Sequence, residues 1–205
     1  MKFFGTKEKI FDAAIDLISE RGYNGVSVRD IAKAAGIKES SIYTHFINKE
    51  DILNHILEYH HNGILGKRVD INSLENEINY MEPRDVFKLI FLSYGKQDDP
   101  RIDKTARIIF MEQYVNPKAR EFVQKYMLEE PVWYYHSLLR QMLSKGRFED
   151  NVDLKTAAQE LNYGFLGISL DFALVRQEGG DVAGILKKIS NHIDFVFDRI
   201  EQKKL

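Results

Sequence analysis

The sequence predicts an all-α protein, on three observations. No segment sustains apolar–polar alternation at period two between turn signals. Apolar residues recur instead at spacings of three and four, in stretches that open at capping residues and close at glycine or before proline. The C-terminal quarter holds two long stripes of this kind, Leu154, Ala158, Leu161, Phe165, Ile168, Phe172 and Val175, then Val182, Ile185, Leu186, Ile189, Ile193, Val196 and Ile200. With 44% apolar and 29% charged residues over 205 positions, the chain has the composition to bury a real core.

Taken in order, Lys2 to Thr6 reads as a short arm, with Thr6 as N-cap of a first helix. That helix carries Ile10, Ala13, Ala14, Leu17 and Ile18 on one face and closes at Arg21-Gly22. Tyr23 and Val26 seal the loop that follows. Ser27 caps a second helix, and Asp30 three residues on reaches back to it, a capping-box start. Ile31, Ala32 and Ala35 share its inner face, while Arg29, Asp30 and Lys33 look away. Gly36 supplies the left-handed backbone that ends a helix without a Cβ clash. Glu39 and Ser40 open a shorter helix held by the i,i+4 pair Ile42 and Phe46.

Asn48 caps a fourth helix through Ile52, Leu53, Ile56 and Leu57, fading near Asn62-Gly63. Gly66 to Glu82 is polar and reads as a loop or short helix. Pro83 suits the first turn of the next helix, with Val86, Phe87, Ile90 and Phe91 inward, and the run Gly95 to Pro100 breaks it. Arg101 to Val115 reads as helix with Ile102, Ala106, Ile109, Phe110 and Val115 inward. Asn116-Pro117 interrupts it, and Lys118 to Leu128 resumes. Glu130-Pro131 starts or kinks a helix carrying Trp133 to Leu143, closed by Lys145-Gly146. Asp153 caps the first long C-terminal helix and Asp181, after Glu178-Gly179-Gly180, the second.

Helix, glycine turn and shorter helix over Ser27 to Phe46 make a helix-turn-helix. Its second helix turns outward a row of hydrogen-bonding side chains, Lys38, Glu39, Ser40, Ser41, Tyr43, Thr44 and His45. A recognition helix aims such groups at base edges while flanking groups grip phosphates. Lys38 can donate to guanine O6/N7; Glu39 can accept from cytosine N4 or simply stabilise its own helix N-terminus. Lys49, first residue of the fourth helix, puts a cation beside free N–H groups, which suits a phosphate oxygen.

The same residues carry a family likeness. The run Ile10 to Lys49, with AAIDLISERGYNGVSVRDIAKAAGIKESSIYTHFINKEDIL at its heart, resembles the DNA-binding domain of the TetR family of bacterial transcriptional repressors. The matching positions are Ala13-Ala14, Gly22-Tyr23, Ser27, Ile31-Ala32, Ala35-Gly36, Tyr43, His45-Phe46 and Lys49. The likeness is strong over about the first quarter of the chain and architectural beyond it. It implies a DNA-binding domain at 1–48 and a helical ligand-binding and dimerisation domain at 49–205. It further implies that Ser27, Tyr43 and Lys49 contact phosphates, that His45 supports the helix, and that helices 153–176 and 181–203 pair with those of a second copy. Leu161, Phe165, Ile168, Phe172, Ile189, Ile193 and Val196 would line that dimer interface. The expected partners are a palindromic operator in double-stranded DNA and a small-molecule effector that releases the repressor. For the effector pocket the candidates are Tyr94, Phe110, Met111, Tyr114, Trp133, Tyr134, His136 and Tyr163, with Tyr135 and Met127 nearby. Trp133 to His136 are consecutive, so they cannot all face one core.

Other classes find less support. The absence of cysteine excludes disulfides and thiolate chemistry. No P-loop, GxGxxG, GxSxG or HExxH motif is present, so an enzyme is not expected. His55 and His60 are five apart and His60 and His61 adjacent, so neither is a ready metal pair on one helix face, and no metal or cofactor is expected. With no apolar run of about 18 residues and no signal-peptide pattern, the expectation is a cytoplasmic protein without a membrane partner. Charge is the one discordant feature: the chain carries −2 overall, and residues 1–50 hold 8 Lys/Arg against 7 Asp/Glu, a net of +1. This keeps open an all-α ligand-binding or interaction protein whose head does not read DNA specifically.

Overall fold

A computed structural model describes residues 5–95, 99–148, 152–180 and 183–201. Among them every regular element is helical. The chain folds as two compact units, one made of 1–66 with 97–124 and the other of 67–96 with 125–205.

The first unit holds α1 (Thr6–Arg21), α2 (Val28–Ala34), α3 (Glu39–Ile42), α4 (Lys49–Leu65), α7 (Pro100–Glu112) and α8 (Pro117–Phe122). Ile10, Ala14, Ile18, Ile31, Ile42, Phe46, Ile52 and Ile56 pack into its core, as the periodicity requires. Phe11 and Ile15, off the predicted stripe of α1, are buried as well. Their burial follows from α7, which packs along a second side of α1. Charge holds the two helices in register: Arg101 donates to Glu8 at 3.0 Å and to Asp12 at 3.1 Å, and Lys104 to Asp16 at 2.6 Å. Acids at i, i+4 and i+8 on α1 thus meet cations three apart on α7. Thr6 is not the N-cap: Gly5 takes that place with φ 65°, and Thr6 is the first helical residue. Val115, expected inward, lies beyond the end of α7 and is 66% exposed, while Thr105 and Ile108 fill the inner face instead.

The second unit holds a 3-10 turn (Ile71–Leu74), α5 (Glu75–Tyr80), α6 (Pro83–Gly95), α9 (Glu130–Ser144), α10 (Leu154–Gln177) and α11 (Ala183–Glu201). The polar stretch after Gly66 is therefore helical over part of its length, anchored in the core by Leu74 and Ile78. Lys118 to Leu128 does not continue as one α-helix: α8 ends at Phe122, and Val123–Glu129 runs in wider π-type turns directly into α9. Asn162 satisfies part of this irregular backbone by donating to Met127 O at 3.0 Å. An aromatic centre of Phe87, Phe91, Tyr135, Phe165 and Phe197 joins α6, α9, α10 and α11. Asp153 caps α10 as expected. Asp181 and Val182, assigned to the start of the last helix, lie outside the described residues, as does Lys2.

Candidate nucleic-acid interface

The capping box forms as the sequence requires. Ser27 Oγ accepts from the Asp30 N–H at 3.1 Å and donates to Asp30 Oδ2, and the Ser27 N–H donates to the same carboxylate at 2.9 Å. These bonds, the hydroxyl's first, hold the Asp30 carboxyl below its ordinary range. They also spend both donors of Ser27, so its hydroxyl cannot donate to a phosphate while the box stands. Ser27→Ala is expected to lower stability by about 1 kcal/mol, read as a shift of the urea midpoint at unchanged slope; an unmoved midpoint would mean that the cap contributes nothing here.

At the far end of α2 the chain reverses through Gly36 at φ 67°, with Gly36 N–H bonded to Lys33 O and Ile37 N–H to Ala32 O. This paired closure of the last turn requires left-handed backbone at the glycine. It sets α3 across α2, and Ile42 and Phe46 bury completely beneath it. Above them Lys38, Ser40, Tyr43 and Thr44 are exposed, and Glu39, Ser41 and His45 partly so. Thr44 Oγ1 donates to Ser41 O at 2.7 Å, a local bond that steadies the turn following α3.

Two placements were not legible in the sequence. Glu39 does not stand alone: Arg29 Nε donates to its Oε2 at 3.3 Å, linking α2 to α3 on the outer face. A phosphate approaching Glu39 therefore meets a paired carboxylate and a guanidinium with donors to spare. Lys49 does not reach outward. Its Nζ donates to Tyr23 O at 2.8 Å and Val26 O at 2.9 Å, and sits 4.0 Å from the centre of the Tyr23 ring. Burial lowers its pKa against the opposing pull of the Glu112 charge. Two of its three donors thus clasp the α1–α2 turn, leaving one for any phosphate. Asn48 caps α4 by accepting from the Asp51 N–H, as expected.

The remaining candidates scatter. Of the pocket set, Phe110, Met111 and Tyr114 belong to the first unit and Tyr94, Trp133, Tyr134, His136 and Tyr163 to the second. Met111, Tyr114, Trp133 and Tyr163 are exposed in the single chain. Tyr134 and Tyr135 are buried, and Tyr135 is a core residue of the aromatic centre. Tyr134 donates to Val69 O at 2.7 Å and lies under Arg68, whose Nη1 bonds Glu130 at 2.6 Å while its buried Nε finds no partner among the described residues. In the dimer set, Leu161, Ile189, Ile193 and Val196 are buried within the single chain, because α6 and α9 already cover that face. Phe165, Ile168 and Phe172 are half-buried against the same core. What α10 leaves outward is a second stripe, Tyr163, Gly167, Leu170 and Leu174. No described helix is long and apolar enough to cross a membrane, and no described group of three His, Asp or Glu side chains is placed to hold a metal.

Residues 10–56 match the family model described as bacterial regulatory proteins, tetR family. Over 52 residues, 25% of this chain and 28% of the other, the sequence is 48% identical to IcaR of Staphylococcus epidermidis, the negative transcriptional regulator of the biofilm operon icaADBC. Over 151 residues, 67% of this chain and 65% of the other, it is 31% identical to YwcC of Bacillus subtilis, an HTH-type transcriptional regulator. The chain thus spans under two thirds of these curated relatives. Among solved structures, MexZ of Pseudomonas aeruginosa, a repressor responsible for antibiotic resistance, superposes with a TM-score of 0.72 over 97% of this chain and 96% of its own, at 16% identity. At that identity the likeness speaks for the fold.

Proposed function

We propose that this chain, which belongs to the TetR family of bacterial regulatory proteins, binds a palindromic operator as a homodimer and represses transcription until a small molecule releases it. The observation that carries the reading is the outer face of α3 and its following turn. Lys38, Ser40, Tyr43 and Thr44 stand exposed along the four-residue helix, its caps and the turn after it, and Ile42 and Phe46 beneath them are locked in the core. Rigid support under projecting polar groups is what base and phosphate contact needs. Tyr43, 53% exposed, is the phosphate candidate with the freest approach. Lys38 and the Arg29–Glu39 pair are the proposed base-reading groups. Repression, rather than activation, is inferred from the role of IcaR as a negative regulator.

A second copy would cover the outward stripe Tyr163, Gly167, Leu170 and Leu174, and two identical heads match a palindrome with half-sites whole turns apart. The effector site is proposed at Tyr94 and Tyr134 beside Arg68, where a buried Nε donor is left over. Binding there would act by favouring one head spacing over another. The proposed role is regulatory rather than catalytic and would be carried out in the cytoplasm, where the DNA is. The functional division is proposed at 48/49, head and body, although α4 and α7 share the head's core.

The test is selection of bound duplexes from a random pool at physiological salt. An inverted repeat is the expected outcome. On that repeat, Lys38→Ala should lower affinity and reduce the salt slope by about 1 if it meets a phosphate, or relax one base position at unchanged slope if it meets guanine. No enrichment by folded, dimeric protein would favour the second reading, an all-α ligand-binding or interaction protein. The near-neutral head is the observation behind that alternative.

A further inference from the structure

The last turn of α7 carries a carboxylate that DNA reading does not use directly. Glu112 is 5% exposed. Its Oε1 accepts a 2.8 Å hydrogen bond from the Tyr23 backbone N–H, 89 residues away in sequence. Its Oε2 is buried without a hydrogen-bond partner among the described residues. Two costs attach to this placement: an acid at a helix C-terminus opposes the helix dipole, and a buried carboxylate with half its acceptors unmet loses its hydration. An apolar side chain would bury there more cheaply. The acid is therefore explained by its partner rather than by the packing of α7.

That partner is the turn that sets the entry to the helix-turn-helix. Gly22 adopts φ 72°, and a Cβ on it would lie 3.4 Å from Glu112 Oε1, so the turn is shaped to receive the carboxylate closely. From the other side Lys49 of α4 holds Tyr23 O and Val26 O. Tyr23 is thus gripped at its N–H by α7 and at its C=O by α4, one residue past the end of the turn glycine and four before the cap of α2.

We propose that Glu112 is a positioning residue for DNA reading, fixing the α1–α2 turn against α7 through the Tyr23 amide. Glu112 touches no DNA in this role; it keeps Ser27, α2 and α3 in the one placement from which the outer face of α3 can enter a groove. The proposal rests on the head being a DNA reader.

It is tested in the full-length chain with Glu112→Ala and Glu112→Gln, by amide hydrogen exchange over residues 22–26 and by affinity for the selected operator across a salt series. In Glu112→Ala the Tyr23 amide should exchange at least about tenfold faster while α10 keeps its protection. Operator affinity should fall about tenfold with the salt slope unchanged, since no phosphate contact is lost. Glu112→Gln keeps an acceptor for the Tyr23 N–H and should stay within about threefold of the parent on both measures. Should the alanine variant fail to fold, Glu112→Met, which fills the space without an acceptor, carries the same expectations. Unchanged exchange at Tyr23, a glutamine variant as impaired as alanine, or a salt slope reduced by about 1 would each overturn the proposal. If the parent selects no operator, the DNA reading fails, and the exchange arm alone decides whether Glu112 holds the turn.

Discussion

Phe46→Ala is expected to destabilise the first unit by about 3–5 kcal/mol, the usual cost of emptying a phenylalanine site in a closed core, and to abolish operator binding before global unfolding is complete. The side chain is 1% exposed. It meets His55 edge-on at 5.2 Å and lies 5.0 Å below the Lys7 ammonium. More depends on it than its own area, because α3 has only four residues. So short a helix has no stability of its own; it exists because Ile42 and Phe46 tie it down from beneath. Losing one of the two anchors removes the support under Lys38, Ser40, Tyr43 and Thr44 together. Urea denaturation and operator titration below the transition check the two halves. A loss under about 1 kcal/mol would mean that the head collapses onto the gap and that the core is less rigid than its burial implies.

Acidification from pH 7 to 4.5 should remove stability through His60. Burial in the first unit lowers its pKa from 6.5 to about 4, with the neighbouring His61 adding in the same direction and a backbone bond to Ile102 opposing. Thr105 Oγ1 lies 3.0 Å from Nδ1 and spends its own proton on Ile102 O, so Nδ1–H is the donor to Thr105, and burial keeps the ring neutral. The unfolded chain binds a proton below about 6.5 and the folded one only below about 4, so stability rises with pH across that window. The contribution is complete above 6.5 and is lost as pH falls toward 4, amounting to about 3 kcal/mol at most. His60→Asn, which offers an amide nitrogen near the Nδ1 position, should flatten this slope whatever it does to the absolute stability. An unaltered pH dependence of the unfolding midpoint between 7 and 4.5 in that variant would exclude His60 as its source.

Local signals made the helix-turn-helix legible. Ser27 and Asp30 cap at three residues' spacing, Gly36 alone tolerates the φ its turn requires, and Ile42 and Phe46 are one turn apart. Each involves residues within a turn or two of one another, and so leaves a periodic trace in the chain. The acids Glu8, Asp12 and Asp16 left such a trace too, a charged ridge on α1 that α7 answers with Arg101 and Lys104. The stretch around Leu74 carried a short one as well, Ile71, Leu74, Ile78 and Met81 at spacings of three, four and three, but its polar neighbours left it easy to read as loop.

The sequence by itself determined that the protein is helical, where several of its helices are capped, and which face of α3 looks outward, since periodicity and capping act over a few residues. Only the tertiary structure decided where long-range partners meet. It turned Lys49 back onto two carbonyls, paired Arg29 with Glu39, brought Glu112 to an amide 89 residues distant, and committed Leu161, Ile193 and Val196 to one subunit's core, leaving Tyr163, Leu170 and Leu174 outside. A side chain with an apolar stem and a polar end fits either role from its type alone. Its role is settled by which backbone groups and helices surround it once distant segments have packed.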